Sequence, residues 1–190
     1  MVLWVCACAT GPTHRTYTDT TGLLIGKTTP AECKAMFGEP KETANQTNGE
    51  GDVETFRYVK GTDSDAEWYA RVLQLEFKDG VLNGFSTGSS FRADRSTFVV
   101  TNVAKIEFAT STKDEVRQLL GDPHGVFRCP SRMAGGDCKF TGREIWLYAD
   151  LHPVSLLRRG PKHFFNGSVC RIVFDNHNLV IDISQRSASN

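Results

Sequence analysis

The sequence predicts an α+β protein built from two tandem copies of one unit, each a short helix followed by a three-stranded antiparallel meander. The first observation is an internal repeat, because residues 28–40 recur 83 residues later as residues 111–123, with Thr, Glu, an apolar pair, Gly and Pro in the same order. The second is that each copy precedes β-rich runs separated by turn residues. Self-similarity of this kind indicates a repeated structural unit. We expect a tether over residues 1–21 and units over 22–96 and 97–190.

Each copy contains a short helix with a defined start and end. In the first, Thr29 and Glu32 have the spacing of a capping box, and Pro30 suits the first helical position. Gly38 and Pro40 then end the helix. The apolar positions predict one buried face in each copy, formed by Cys33, Met36 and Phe37 and by Val116, Leu119 and Leu120.

The strands are predicted from runs of β-branched, aromatic and aliphatic residues. In the first unit they cover residues 53–59, 68–77 and 81 onward, whereas the polar, Asn-rich segment 41–52 is predicted to be a loop. The second unit repeats the order at 144–148, 169–174 and 179–183. It also carries an insertion at 150–167, where the first unit has only a short connection.

Four cysteines follow the N-terminal segment. Cys129 and Cys138 flank a turn-rich stretch that can bring their Cα atoms together, so we expect a disulfide if the chain is exported. The alternative, a zinc knuckle, lacks a second closely spaced cysteine pair. Cys33 and Cys170 lie in apolar patterns and are predicted to be buried thiols.

The N-terminal residues 3–12 are typical of the end of a signal peptide running into a polar tether. They resemble a bacterial lipobox with Cys8 as the acylated residue; the alternative is a short apolar strand. A lipid on Cys8 would anchor the protein to a membrane without spanning it. We therefore expect a lipid-anchored, periplasm-facing protein of the bacterial cell envelope, or alternatively a secreted one.

Charge and motifs argue against several functions. Lys plus Arg equal Asp plus Glu at 22 each, so no net field would attract a phosphate backbone, and we expect no nucleic acid partner. The five histidines are scattered, and no catalytic, nucleotide or metal-binding motif occurs. We expect no cofactor, no metal and no enzymatic activity.

The repeated pattern also resembles a known family. An apolar-x-apolar-Gly/Ala-x-Thr/Ser segment, then Glu-[Val/Cys]-x-x-[Leu/Met]-[Leu/Phe]-Gly-x-Pro and an aromatic-rich meander, resembles the BamE/SmpA-type envelope lipoproteins. It is also similar to the secreted β-lactamase inhibitor proteins (BLIP-like), which have two such units in tandem. The resemblance extends over nearly the whole chain from Leu23 and implies one curved, mostly antiparallel sheet, with helices on one side and the other side free for a partner.

Two segments are candidate partner-binding sites. The resemblance implies that Glu67 offers a carboxylate to a cationic site of an enzyme, with Trp68 and Tyr69 as anchors; the alternative is that these aromatics pack on their own sheet. The insertion joins cations and aromatics that are enriched at interfaces, although its apolar residues could instead cover the end of the sheet. Its candidate contact residues are Arg158, Arg159, Phe164 and Phe165.

These observations favour an envelope-tethered protein–protein interaction module with a role in outer-membrane assembly or maintenance. One alternative is an inhibitor of a secreted or periplasmic enzyme such as a β-lactamase. A second alternative is a carrier of a small ligand on the concave face of the sheet, which would require a pocket lined by residues such as Trp146 and Tyr148.

Overall fold

The structure is a computed structural model that describes residues 14–48, 51–64, 66–94, 98–134, 138, 142–155 and 165–187. Within these residues, nine strands form one antiparallel sheet in the order β1-β2-β3-β4-β5-β6-β8-β9, and β7 pairs with β3. The strands are β1 (Glu42–Asn48), β2 (Gly51–Ser64), β3 (Glu67–Lys78), β4 (Val81–Ser89), β5 (Gly125–Arg128), β6 (Glu144–His152), β7 (Val154–Ser155), β8 (Asn166–Phe174) and β9 (Val180–Ser187). The predicted α+β class is confirmed, with the sheet as the dominant element.

Two α-helices, α1 (Pro30–Phe37) and α2 (Lys113–Leu120), lie in the described part of the chain, together with 3-10 turns at Arg92–Asp94 and Val100–Lys105. Both have a complete capping box, in which Thr29 pairs with Glu32 and Thr112 with Glu115. Each helix ends at a glycine with positive φ, 82° at Gly38 and 81° at Gly121. In the described segments, no helix is long and apolar enough to cross a membrane.

Both helices pack on the same face of the sheet, which we call the helix face. One continuous row of directly paired residues marks it, because such partners share a face. The row is Phe56, Leu75, Phe85, Val126, Trp146, Ile172 and Ile183. Cys33 and Phe37 of α1 pack near its first end, and Val116 and Leu120 of α2 near the other. Leu119, predicted to share this buried face, is only partly buried.

The opposite side, which we call the second face, carries the disulfide loop (described residues 129–134 and 138). The predicted disulfide between Cys129 and Cys138 is confirmed, with a Cα–Cα distance of 4.9 Å. The loop packs against Phe127, Ile145 and Val173. Cys33 and Cys170 are buried free thiols. Burial raises the pKa of Cys33 to about 12 and that of Cys170 to about 11.

The prediction of three strands after each helix is wrong, because each helix is followed by one more main strand. Residues 41–52, predicted to be a loop, contain β1, whose residues 42–47 are all exposed at the edge of the sheet. An edge strand covered on neither face has no hydrophobic alternation to reveal it. The strand β5 was also missed, since it is only four residues long and begins with a glycine.

Candidate protein-binding site

The β2–β3 hairpin projects beyond the strands β1 and β4 that flank it. Strand β1 pairs with β2 only as far as Arg57, and β4 pairs with β3 only from Arg71 onward. We call the remaining two-stranded ribbon, residues 59–64 and 66–69, the hairpin arm. Side chains 60–64 of this arm are all exposed. The arm therefore presents both of its faces at one end of the sheet.

The insertion of the second half meets this arm. Within it, β7 pairs antiparallel with the start of β3, placing Ser155 opposite Glu67 and Val154 opposite Trp68. Val154 is only 3% exposed, so β7 is packed against the protein. The two segments that the sequence singled out for partner binding are thus neighbours, although about 90 residues separate them along the chain.

Trp68 lies on the second face of the arm. Its indole lies on Gly61, where an added Cβ would come within 2.0 Å of the ring, so the close approach requires glycine at this position. Asp63 is the direct cross-strand partner of Trp68, and its side chain is exposed. A carboxylate and a half-buried indole therefore lie side by side near the end of the arm.

Glu67 and Tyr69 point to the other side, because alternate residues of a strand face opposite ways. The Tyr69 hydroxyl donates a hydrogen bond to Glu67 at 2.8 Å, and its ring lies 5.5 Å from that of Phe91. Arg71 lies 4.2 Å from the centre of the Phe91 ring. Glu67, Trp68 and Tyr69, grouped by the resemblance, are therefore divided between the two faces of the arm.

An ion pair supports the base of the arm. Arg71 donates to Asp94 through Nε at 2.5 Å and through a second guanidinium nitrogen at 3.2 Å, and the Ser89 hydroxyl donates at 2.6 Å. Burial raises the pKa of Asp94, but these hydrogen bonds and the Arg71 charge outweigh it, so the pKa is lowered overall. This carboxylate stays ionised and fastens β3 to the segment that follows β4.

Of the candidate residues in the insertion, only Phe165 lies in the described part of the chain. It is partly buried and packs beside Leu151 over Gly88 of β4, where an added Cβ would lie 2.9 Å from Leu151 and 3.3 Å from Phe165. Phe165 therefore contributes to covering the sheet on the second face. Arg158, Arg159 and Phe164 lie outside the described residues, as does the candidate lipidation site Cys8.

A surface groove of about 320 Å³ lies on the second face beside the disulfide loop. Its floor includes Arg57 and Gln74, and Met133 of the loop forms one wall. Arg57 pairs with Glu42 of β1 at 2.9 Å. Five of the eight residues that line the groove have polar side chains, but apolar atoms form the larger part of its surface. The groove lies on the same face as Trp68.

Glu76, which the sequence analysis missed, holds the disulfide loop on this face. Its side chain is only 1% exposed, and it accepts hydrogen bonds from the backbone N–H groups of Arg132 and Met133, both at 2.9 Å. The amide of Asn83 donates to the other carboxylate oxygen at 2.8 Å and also to the carbonyls of Arg128 and Pro130, both at 3.0 Å. The available signal was an acidic residue within the apolar run of residues 72–77.

The ligand-carrier alternative is not supported at the residues proposed for it. Trp146 and Tyr148 lie on the helix face and are 2% and 0% exposed. The Tyr148 hydroxyl donates to the Gly121 carbonyl at 3.1 Å. Both side chains belong to the core beneath α2 and do not line a pocket on the free face.

Among the described residues, no group of three His, Cys, Asp or Glu side chains could hold a metal ion.

Comparison with known proteins yields one structural likeness. No family model matches the chain, and no curated protein is similar to it. The fold is similar to a solved structure from Streptococcus mutans described as a "putative beta-lactamase inhibitor protein". The two share 11% sequence identity with a TM-score of 0.49, over 91% of this chain and 88% of that chain.

Proposed function

We propose that this protein is a non-enzymatic protein-binding module that engages a protein partner through the hairpin arm and the adjoining second face. The observation that carries this proposal is the pairing of β7 with β3 at Glu67 and Trp68. It brings the arm and the insertion, which both carry aromatic and charged residues, to the same end of the sheet. The arm also extends beyond β1 and β4, as a recognition loop on a rigid scaffold commonly does.

The chemistry of the arm favours a cationic site on the partner. Asp63 and Glu67 flank the turn of the arm, and the sequence places Asp65 between them. Trp68 adds an aromatic surface beside Asp63, and aromatic residues with charged neighbours dominate interface energetics. The same chemistry suits the alternative function, in which the arm enters the cationic cleft of a secreted or periplasmic enzyme and inhibits it.

The predicted tandem organisation, with units over residues 22–96 and 97–190, is part of this proposal. It is supported by an ion pair that recurs with the 83-residue offset of the sequence repeat, because Lys34 pairs with Glu39 at 3.0 Å and Arg117 pairs with Asp122 at 3.1 Å. Each cation also lies over an aromatic ring of the sheet, Lys34 over Phe56 and Arg117 over Trp146. The two units share one sheet, and each helix packs over its own cluster of buried residues.

We expect Asp63→Lys to weaken partner capture at least about tenfold, because a like charge placed against a cationic site costs free energy and one factor of ten is about 1.4 kcal/mol. The measurement is quantitative mass spectrometry of proteins retained by the wild-type protein and the variant from an envelope extract. The matched control is Glu39→Lys, a charge reversal at a side chain that is 78% exposed and lies after α1.

A parallel assay separates the two functions. Purified β-lactamase is mixed with each protein, and hydrolysis of a chromogenic substrate is followed. Inhibition that Asp63→Lys abolishes would favour the inhibitor function. Capture of the same proteins in the same amounts by wild type, Asp63→Lys and Glu39→Lys would show that the arm is not the binding surface, and the proposal would fail.

We also propose that the protein is held at the bacterial envelope by a lipid on Cys8, where it would serve in outer-membrane assembly or maintenance. The support is the lipobox-like sequence and the disulfide, which is typical of an oxidising compartment. Expressed in a bacterial host with its native N-terminal segment, the wild-type protein is expected to partition into detergent and Cys8→Ser into the aqueous phase. Equal partitioning of the two would contradict the anchor and leave the binding proposal standing.

A further inference from the structure

The sheet is narrowest at β5, which we call its midline, because this strand has only four residues. β5 alone joins β4 to β6, through the pairs that begin at Gly125. β5 ends at Gly125 on this side, and a cavity of about 160 Å³ lies beyond it between β4 and β6. The lining residues are Thr18, Thr87, Gly88, Ser89, Asp94, His124, Ala149, Asp150 and Leu151. The continuity of the sheet beyond this point depends on the residue just before β5.

That residue is His124, and it makes four hydrogen bonds to the strands on either side. Its carbonyl accepts from the Thr87 N–H at 2.7 Å and from the Thr87 hydroxyl at 3.1 Å, and its own N–H donates to the Leu147 carbonyl at 2.8 Å. The fourth bond involves the side chain, because the ring Nδ1 accepts from the Ala149 N–H at 3.0 Å. A ring nitrogen that accepts carries no proton, so this bond requires the neutral imidazole with its proton on Nε2.

Two carboxylates line the same cavity as the ring. Asp150 of β6 lines the same cavity and lies 3.5 Å from His152. Asp94, held by Arg71 and Ser89, lines it from the 3-10 turn after β4.

The remaining groups near the ring act less directly. The Tyr148 ring lies 6.3 Å from that of His124. On the helix side, Asp122 precedes the histidine by two residues and is paired with Arg117 at 3.1 Å. Burial lowers the pKa of His124, and the Asp150 charge opposes that shift only in part.

We propose that His124 is an acid-operated latch in the middle of the sheet. By latch we mean a side-chain contact that holds β6 to the start of β5 at neutral pH and releases it in acid. In the neutral state its ring fastens Ala149 of β6 to the start of β5. Protonation converts Nδ1 from an acceptor to a donor, so the Ala149 N–H loses its partner and the ring turns into the cavity. There the Asp150 and Asp94 carboxylates accept from the imidazolium. The cavity supplies the space for this rotation, and the connection between β4 and β6 through His124 becomes weaker.

The direction of the pH effect follows from the lowered pKa. The folded protein binds this proton less readily than the unfolded chain, in which histidine has a pKa of about 6.5. The stabilisation from the latched state is therefore complete above about pH 6.5 and is lost as the pH falls through the lowered pKa of the folded protein. The latch is closed at neutral pH and opens in acid.

Nuclear magnetic resonance on the full chain tests the latch. We expect the neutral ring to carry its proton on Nε2 at pH 7.5. Between pH 7.5 and pH 5, the exchange protection factor of the Ala149 amide should fall at least about tenfold relative to those of Leu73 and Ile172. His124→Asn keeps an acceptor near the Nδ1 position but cannot titrate, so its Ala149 protection should not change over this range.

His177→Asn, which alters a histidine in the β8–β9 turn away from this cavity, should retain the wild-type response. The proposal is overturned if the wild-type ring is protonated on Nδ1 at pH 7.5, or if His124 titrates while Ala149 protection follows that of Leu73 and Ile172. If His124→Asn does not fold, these two wild-type measurements decide the question. None of these readouts depends on the partner-binding proposal.

Discussion

Leu120→Ala is expected to lower the free energy of unfolding by about 2 to 5 kcal/mol, the usual cost of truncating a buried leucine. Leu120 is 1% exposed and packs in the core beneath α2, with Trp146 and Tyr148 among the residues of that cluster. The helix has only eight residues and buries two of them completely, Val116 and Leu120, so little else holds it to the sheet.

The measurement is urea denaturation at pH 7.5, followed by far-ultraviolet circular dichroism. Leu119→Ala is the matched control, because it removes the same atoms from the neighbouring residue, which is only partly buried. Its expected cost is well below that of Leu120→Ala. Equal shifts in the denaturation midpoint for the two variants would mean that α2 is not packed in the orientation described.

Glu76→Ala is expected to destabilise the protein by about 3 kcal/mol or more. The backbone N–H groups of Arg132 and Met133 lose their side-chain acceptor in this variant, and the amide of Asn83 loses one of its three acceptors. Leaving a buried polar group without a partner costs about 1 to 3 kcal/mol, and these costs are not fully additive. Glu76 also comes from β3 while the loop that it binds follows β5, so the same bonds join distant parts of the chain.

Glu76→Gln provides a graded comparison. Its amide oxygen can still accept from the backbone N–H groups, but its NH₂ would face the Asn83 NH₂. Asn83 cannot simply turn, because the same NH₂ also donates to the Arg128 and Pro130 carbonyls. We therefore expect a loss intermediate between wild type and Glu76→Ala.

Gln74→Ala, a truncation on the same strand and face at a partly exposed residue, is the control for both changes. Denaturation gives the stability, and amide exchange at Arg132 and Met133 reports the state of the loop. If Glu76→Ala costs no more than Gln74→Ala and leaves exchange at these amides unchanged, the carboxylate does not hold the loop.

Features encoded by neighbouring residues could be predicted from the sequence. The capping boxes at Thr29 and Thr112 and the glycine ends of both helices depend on residues a few positions apart, and the structure contains them. The Cys129–Cys138 disulfide belongs to the same class, because it closes a separation of nine residues. The alternation of side chains along a strand likewise places Trp68 and Tyr69 on opposite faces.

Two of the strands, β1 and β5, could not be predicted from the local sequence pattern. β1 is polar and exposed, so its seven residues are ordered as a strand only by pairing with β2. β5 has four residues, too few for a periodic pattern, and its place is set by β4 on one side and β6 on the other. Strand propensity depends on the neighbours that a strand finds, and those neighbours are remote in the sequence.

By itself, the sequence determined the α+β class, the two capped helices and the disulfide, because each follows from hydrophobic period or from chemistry within about ten residues. The tertiary structure alone decided where the candidate site lies. It paired β7 with the hairpin arm, buried Glu76 beneath the disulfide loop and placed the His124 ring against Ala149. These contacts join strands that meet only when the sheet is complete, and no local pattern specifies which remote segments will become neighbours.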